Sequence, residues 1–437
     1  MRVGTAKIDI TPSFPVWMDG MIREHKSTGV HDPLYARAMC LYSDSLEEGC
    51  VIVSVDVCAI RTEDSWTVRK EASERTGLRA ENIIIAATHT HSGPATKGFF
   101  NPVEDAYVAQ LQKLLIELIE QATTNASPAV VGCTSGEENT ISHYRRLLAD
   151  DGHVVMNWEP WPAERIVRPL GQPDNEVGVV VTADASNPNS YLGILFNHAG
   201  HPNVMSGDNY LLSADYPGYA CAQIEQNFGG TAIFVNGAEG SVDIDGLRDR
   251  DWEGVTRTGG ALARAVIGAV RKADLRSDIA FAAEAVRYCV PRRVITQEEL
   301  AWAERVLAST GGKIQAQPDG IGADFKAVLY KKLADQQGDV EIEQTCIAIG
   351  DTALISFPGE LFTEIGREIK LKSPFKRTYI IGLANGSVGY VPTREAISQG
   401  GYEVDTRQLD DDAADIILEQ SLELLKKTYT VTTATEG

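Results

Sequence analysis

Two histidines, His89 and His91, lie in the run Thr88-His89-Thr90-His91-Ser92-Gly93-Pro94, directly after the apolar segment Ile83–Ala87. Residues two apart on an extended chain project from the same face, so both imidazoles can enter one cavity at the carboxyl end of that strand. In open α/β sheets, ligands gather outside those strand ends. From this fragment alone, two hydrogen-bonded structural histidines fit as well as two ligands.

A second cluster, Phe196-Asn197-His198-Ala199-Gly200-His201-Pro202, also follows an apolar strand. The chain has eight histidines, and four fall in these two contexts. That clustering favours a metal, with one of His198 and His201 expected to cap a turn instead. Imidazole suits zinc, copper, iron and nickel, and a shell that adds carboxylate oxygen rather than thiolate is typical of catalytic zinc. Competing chemistry lacks its signatures, since there is no GxSxG elbow, no GxxxxGK[ST] phosphate loop and no HExxH helix. The glycines of Asn236-Gly237-Ala238-Glu239-Gly240 allow close backbone approach to a ligand or, equally, a tight turn.

The elements that must position these groups are short β-branched runs alternating with amphipathic ones. Strands are expected at 39–42, 51–57, 83–87, 177–182, 192–196, 232–235, 345–349 and 378–383. Helices are expected at 63–75, 105–123, 214–227, 252–273, 297–308, 361–370 and 411–427. The alternation implies an α/β fold, mixed sheets covered by helices, as one large domain over residues 1–437. Two stretches break it. Residues 149–175, with Trp158, Pro160, Trp161, Pro162 and Pro169, read as a long surface loop, and 311–322, with four glycines, reads as a flexible excursion over a cleft.

Composition bounds the partners. With 61 Asp and Glu against 40 Lys and Arg, the formal net charge is -21, which repels nucleic acid and anionic lipid alike. No segment approaches 18 consecutive apolar residues, so no membrane insertion is expected. Seven scattered cysteines without a CxxC pair are the usage of a reducing compartment. A cytoplasmic protein acting on a small molecule is the expectation, and the sequence leaves its oligomeric state open.

Several ordered motifs together resemble the neutral (non-lysosomal) ceramidase family: GTAKIDITP at 4–12, GVHDPLYARA at 29–38, THTHSGP at 88–94, His201-Pro202 ahead of SADYPGY at 213–219, the glycine-rich 236–240, PGELFTEIGR at 358–367 and GYVPT at 389–393. The resemblance implies a zinc site whose ligands are His89, His201, Glu360 and Tyr390, completed by water, with His91 orienting a ligand or contacting substrate. One departure stands out. The family's glycine-rich motif continues GDxSP, with its serine close to the metal, whereas here Asp243 occupies the aligned position and the proline is missing. The family's carboxyl-terminal immunoglobulin-like domain and leader are not expected here, which argues against membrane-embedded ceramide as substrate.

The resulting expectation is zinc-dependent hydrolysis of an amide, or an ester, in a small soluble molecule. Asp243 is the first candidate for the base, Glu239 the second, and a turn-forming role is the plain alternative for Asp243. Tyr390 and His91 complete the catalytic set. Of Arg145 and Arg146, at least one guanidinium, with Arg146 favoured, is expected to bind a carbonyl or anionic group, against the plain alternative of a surface ion pair. Two other readings keep the metal. One is cleavage of a sugar derivative by hydrolysis or elimination, using Asp243 and Tyr390 beside Trp158, Trp161 and Arg146. The other is a binding protein that has lost turnover.

Overall fold

Along the strands Cys50–Val55 and Ile83–Ala87 every residue is buried, because both faces of the sheet are covered. Val51, Val53, Ile83 and Ile85 point into a cluster with Val68 and Ala72 of the helix Thr62–Thr76 and Leu111, Leu115 and Ile119 of the helix Asp105–Thr124. The intervening Ile52 and Ile84 point the other way, onto Ile347, Leu354 and Ile381 of a second sheet. The strand period of two thus sorts one apolar run into two cores.

The computed structural model describes residues 1–244 and 250–434. An eight-stranded mixed sheet runs in the order Thr231–Asn236, Asn187–His198, Glu176–Asp184, Ser127–Glu137, Arg2–Asp9, Tyr35–Tyr42, Cys50–Val55, Ile83–Ala87. Its terminal pairs are parallel and the pairs between them antiparallel. A four-stranded sheet, Phe281–Val290, Val340–Ile349, Thr352–Ser356 and Arg377–Ile381, stacks on it through the shared core. The helices Asp215–Phe228 and Trp252–Val270 complete the outer layer of the large sheet, while Thr363–Lys372 and Ala413–Ala434 cover the small one. Four layers, helix, sheet, sheet, helix, result, which is the expected mixed-sheet α/β class.

The stretch 149–175 is not a plain loop. Arg146–Ala149, Val154–Met156 and Ile166–Pro169 form a three-stranded antiparallel sheet within and beside it. Residues 311–322 connect the helices Gln297–Thr310 and Ala323–Ala334, and they are tied down where Gln317 bridges Ile22 and Gly207 N–H donates to Pro318 O.

Candidate metal centre

The strand Ile83–Ala87 stops before the histidines, so strand alternation does not bring them together. His89 adopts φ 74°, a left-handed conformation uncommon for a side chain of this size, and its amide donates to Val57 O. That turn sets the His89 and His91 rings edge to face, with centroids 4.7 Å apart and Nε2 atoms 3.3 Å apart. Gly20, at φ 90°, must be glycine here: a Cβ would come within 2.5 Å of His91 Cγ.

His89 Nδ1 donates to Cys58 O at 2.7 Å, and His201 Nδ1 donates to Val242 O at 2.9 Å. A ring nitrogen against a carbonyl oxygen must carry the proton, so in the neutral ring each Nε2 presents a lone pair. Both lone pairs converge on Glu360 Oε2, at 3.5 Å from His89 and 3.4 Å from His201, while Tyr390 Oη is 3.4 Å from His201 Nε2. Glu360 and Tyr390 arrive together, directly opposite each other on a two-residue parallel ladder. Ligand atoms about 2.0–2.1 Å from a tetrahedral zinc stand roughly 3.3–3.4 Å apart. The His89–Glu360, His201–Glu360 and His201–Tyr390 separations are close to this, and the ligand atoms of His89, His201 and Glu360 all lie within 4.8 Å of one another. Glu360 Oε2 has no hydrogen-bond partner among the described residues, as befits an atom reserved for an ion.

Electrostatics tie the cluster together. Burial opposes ionisation of Glu360, yet His89 and His201 hold its carboxyl well below the usual range. His89 loses basicity to burial and regains more from Cys58 and Glu360, ending well above its ordinary value. Burial, then His89 and His201, push His91 well down, and burial with Arg145 lowers His201. Burial raises Tyr390, reinforced by Glu360 and opposed by Arg145.

His198 lies apart, with Nε2 against Ser142 Oγ at 2.8 Å and Nδ1 near Glu176 O, and is a structural histidine. The two arginines divide in the same way. Arg145 directs Nη1 at His201 Nε2, 3.1 Å away, with Nε on Glu403 Oε1 at 2.7 Å and Nη2 on Gly240 O at 3.0 Å. Its guanidinium also lies over the rings of Trp158, Tyr390 and Tyr402. Arg146, fully buried, spends its guanidinium on Glu403 Oε2, Ala396 O and Gly400 O, so Arg145 is the one aimed at the centre. The Arg165 guanidinium lies over the Trp161 ring, 4.8 Å from its centroid.

Asp243 is buried on the short strand Val242–Ile244, one residue beyond the carbonyl that holds His201. Its Oδ1 accepts from Ile244 N–H, and Oδ2 has no partner among the described residues. Glu239 has neither oxygen engaged among those residues, and burial pushes its carboxyl up to about 8, with His89 opposing and Glu360 adding.

A cavity of about 60 Å³ opens beside His89, His91, Glu360 and Tyr390, walled by Phe99 and Phe100. Tyr402 borders this cavity and also a separate groove of about 570 Å³ between Trp158 and Trp302. Sequence reasoning missed Tyr402, Glu403, Phe99 and Phe100. The segment Gly401-Tyr402-Glu403-Val404 carries no spacing that would single it out.

A family model described as neutral/alkaline non-lysosomal ceramidase, N-terminal, matches residues 1–242. The chain belongs to this family. A neutral ceramidase of Mycobacterium tuberculosis is 25% identical over 268 residues, 54% of this chain and 40% of the relative. Neutral ceramidase A of Dictyostelium discoideum is 27% identical over 245 residues, 52% of this chain and 32% of the relative. The matched part of the chain thus covers less than half the length of these curated relatives. The crystal structure of the Pseudomonas aeruginosa neutral ceramidase superposes with a TM-score of 0.74 at 19% identity, covering 97% of this chain and 74% of that one. That likeness carries the family fold past residue 242, through the segments that bear Glu360 and Tyr390.

Proposed function

We propose that this chain is a zinc-dependent hydrolase that cleaves an amide, or an ester, of a small soluble substrate. The observation that carries this reading is the convergence of His89 Nε2, His201 Nε2, Glu360 Oε2 and Tyr390 Oη at spacings suited to one tetrahedral ion, with both imidazoles locked in the ligating tautomer by backbone carbonyls. Family membership supports hydrolysis, and the relatives named neutral ceramidases support an amide. When bound there, zinc would polarise the scissile carbonyl and lower the pKa of water towards neutrality.

The chain's own residues supply the rest. Asp243 Oδ2, unpartnered among the described residues while Oδ1 accepts from Ile244 N–H, accepts the proton of the attacking water. Arg145, anchored by Glu403 and Gly240 O, offers Nη1 to the carbonyl oxygen as it gains charge. His91, poor at holding a proton of its own, contacts substrate in the same cavity. Seven cysteines without a disulfide support a reducing, cytoplasmic setting, and no helix among the described residues is long and apolar enough to cross a membrane.

Elemental analysis of protein purified without added metal should find about one zinc per chain, and a panel of N-acyl amines and esters should include a substrate. Well under one equivalent of any transition metal would defeat the reading. Cleavage of a sugar derivative is the second reading, favoured by the groove beyond Tyr402, where Trp158 and Trp302 face Glu159, Asp319 and Asp405. Turnover of glycosides but not amides would select it.

A further inference from the structure

Phe99 and Phe100 form the apolar wall of the cavity beside the candidate ligands, and they are braced from behind. Their rings meet edge to face at 4.7 Å, and Phe325 packs on both, stacked on Phe100 at 5.2 Å and tilted to Phe99 at 5.5 Å. Phe325 belongs to the helix Ala323–Ala334, whose Leu329 and Leu333 complete the same apolar cluster together with Ile22. The turn bearing the two rings is fixed as well. Buried Asp19 accepts from Gly98 N–H at 3.3 Å and from Phe100 N–H at 3.4 Å, and Asn101 Nδ2 donates to Met18 O and Met21 O. This wall is a packed layer, not a pair of free side chains.

The cavity it leaves measures about 60 Å³. The larger space, about 570 Å³, lies on the far side of Tyr402. We infer that the Phe99–Phe100–Phe325 wall limits the substituent seated beside the metal to a short acyl group of a few carbons, with the bulk of the substrate lying beyond Tyr402. This rests on the proposed hydrolase reading and specifies its substrate class: short-chain N-acyl or O-acyl compounds, not long-chain ones. Phe99 and Phe100 are then specificity-determining residues, and Phe325 acts through them.

Two measurements on the zinc-loaded chain test this separately. The first is calorimetric binding of acetate, butyrate, hexanoate and dodecanoate, which needs no turnover. Affinity should rise from acetate to butyrate and then stop rising or fall, whereas in Phe100→Ala hexanoate should bind about fourfold more tightly for each added methylene that finds room. The second is kcat/KM for N-acetyl, N-butyryl, N-hexanoyl and N-dodecanoyl forms of one amine. The wild type should drop at least tenfold between butyryl and hexanoyl, as expected for a pocket that excludes methylenes. In Phe100→Ala and Phe325→Leu the hexanoyl-to-acetyl ratio should rise. That ratio is insensitive to a general loss of folded protein, which lowers both rates together. A length limit in binding with no amide cleaved would sink the hydrolase reading and leave the wall's role standing. Dodecanoate and acetate bound or cleaved alike by the wild type would overturn the wall's role, as would no carboxylate of any length binding, or a ratio unmoved in both variants.

Discussion

The ligand set makes unequal demands on its histidines. His89 and His201 each have Nδ1 tied to a backbone carbonyl and Nε2 within 3.5 Å of Glu360, whereas His91 Nδ1 has no partner among the described residues and its Nε2 lies 3.3 Å from His89 Nε2 with no carbonyl to fix its tautomer. His89→Ala and His201→Ala should therefore retain little zinc after dialysis, while His91→Ala should retain most of it, measured as metal per chain. Equal loss in all three variants would place His91 among the ligands. Asp243 is tested differently, because its suggested role is with the proton and not the ion. Asp243→Asn keeps the acceptor for Ile244 N–H, so fold and zinc content should persist while turnover falls by about 10²–10⁴. Near-normal turnover in that variant would reduce Asp243 to a turn residue.

What aims Arg145 is an element remote in sequence, the short helix Tyr402–Thr406, whose Glu403 bridges Arg145 and Arg146 with all three side chains out of solvent. Removing one member of such a group strands charge, and Glu403→Ala should lower stability by about 3–5 kcal/mol in urea titrations. A loss under about 1 kcal/mol would mean that water or another acid replaces the carboxylate. This arrangement also marks where sequence reading stopped. Helices with long apolar stripes, such as Asp105–Thr124, were readable to within a residue, as was the strand Ile83–Ala87. The helix Ala323–Ala334 and the strands Ser127–Glu137 and Phe281–Val290 escaped, because small and polar residues interrupt their apolar pattern and packing against distant partners decides their state. At the site, the two histidine clusters could be nominated from the chain, whereas Glu360 and Tyr390 follow only from the resemblance to the ceramidase family. The choice of Arg145 over Arg146 could not be made from the chain, since Arg145 lies in the break between the strands Ser142–Tyr144 and Arg146–Ala149, Glu403 binds both guanidiniums, and only the folded contact of Arg145 Nη1 with His201 Nε2 separates them.

The same four-layer packing that builds the site also buries a carboxyl at a cost to the whole molecule. Asp215 opens the helix Asp215–Phe228 at φ 54°, under the outer layer, with Oδ1 accepting from Tyr216 N–H and Oδ2 unpartnered among the described residues. Burial pushes its carboxyl up to about 7 from 3.8, with the Tyr216 and Met205 amides opposing and nearby Asp32 adding. Between about pH 4 and pH 7 the folded chain keeps a proton here that the unfolded chain has lost. The unfolded state then binds fewer protons, so this group's contribution to stability falls as pH rises through that window, and it stays at its full penalty above pH 7. At 1.36 kcal/mol per pH unit the penalty reaches ~4 kcal/mol. Asp215→Asn removes the ionisation, keeps an acceptor for Tyr216 N–H, and suits a left-handed backbone. Its stability relative to wild type should therefore be several kcal/mol better at pH 8 than at pH 4, as read from urea unfolding at both values. The other buried acids titrate identically in both proteins and cancel from the difference, provided they do not couple to this site. If the gap between variant and wild type is the same at pH 4 and pH 8, Asp215 does not carry this penalty, and its carboxylate must find in the folded chain a partner that stabilises its charge.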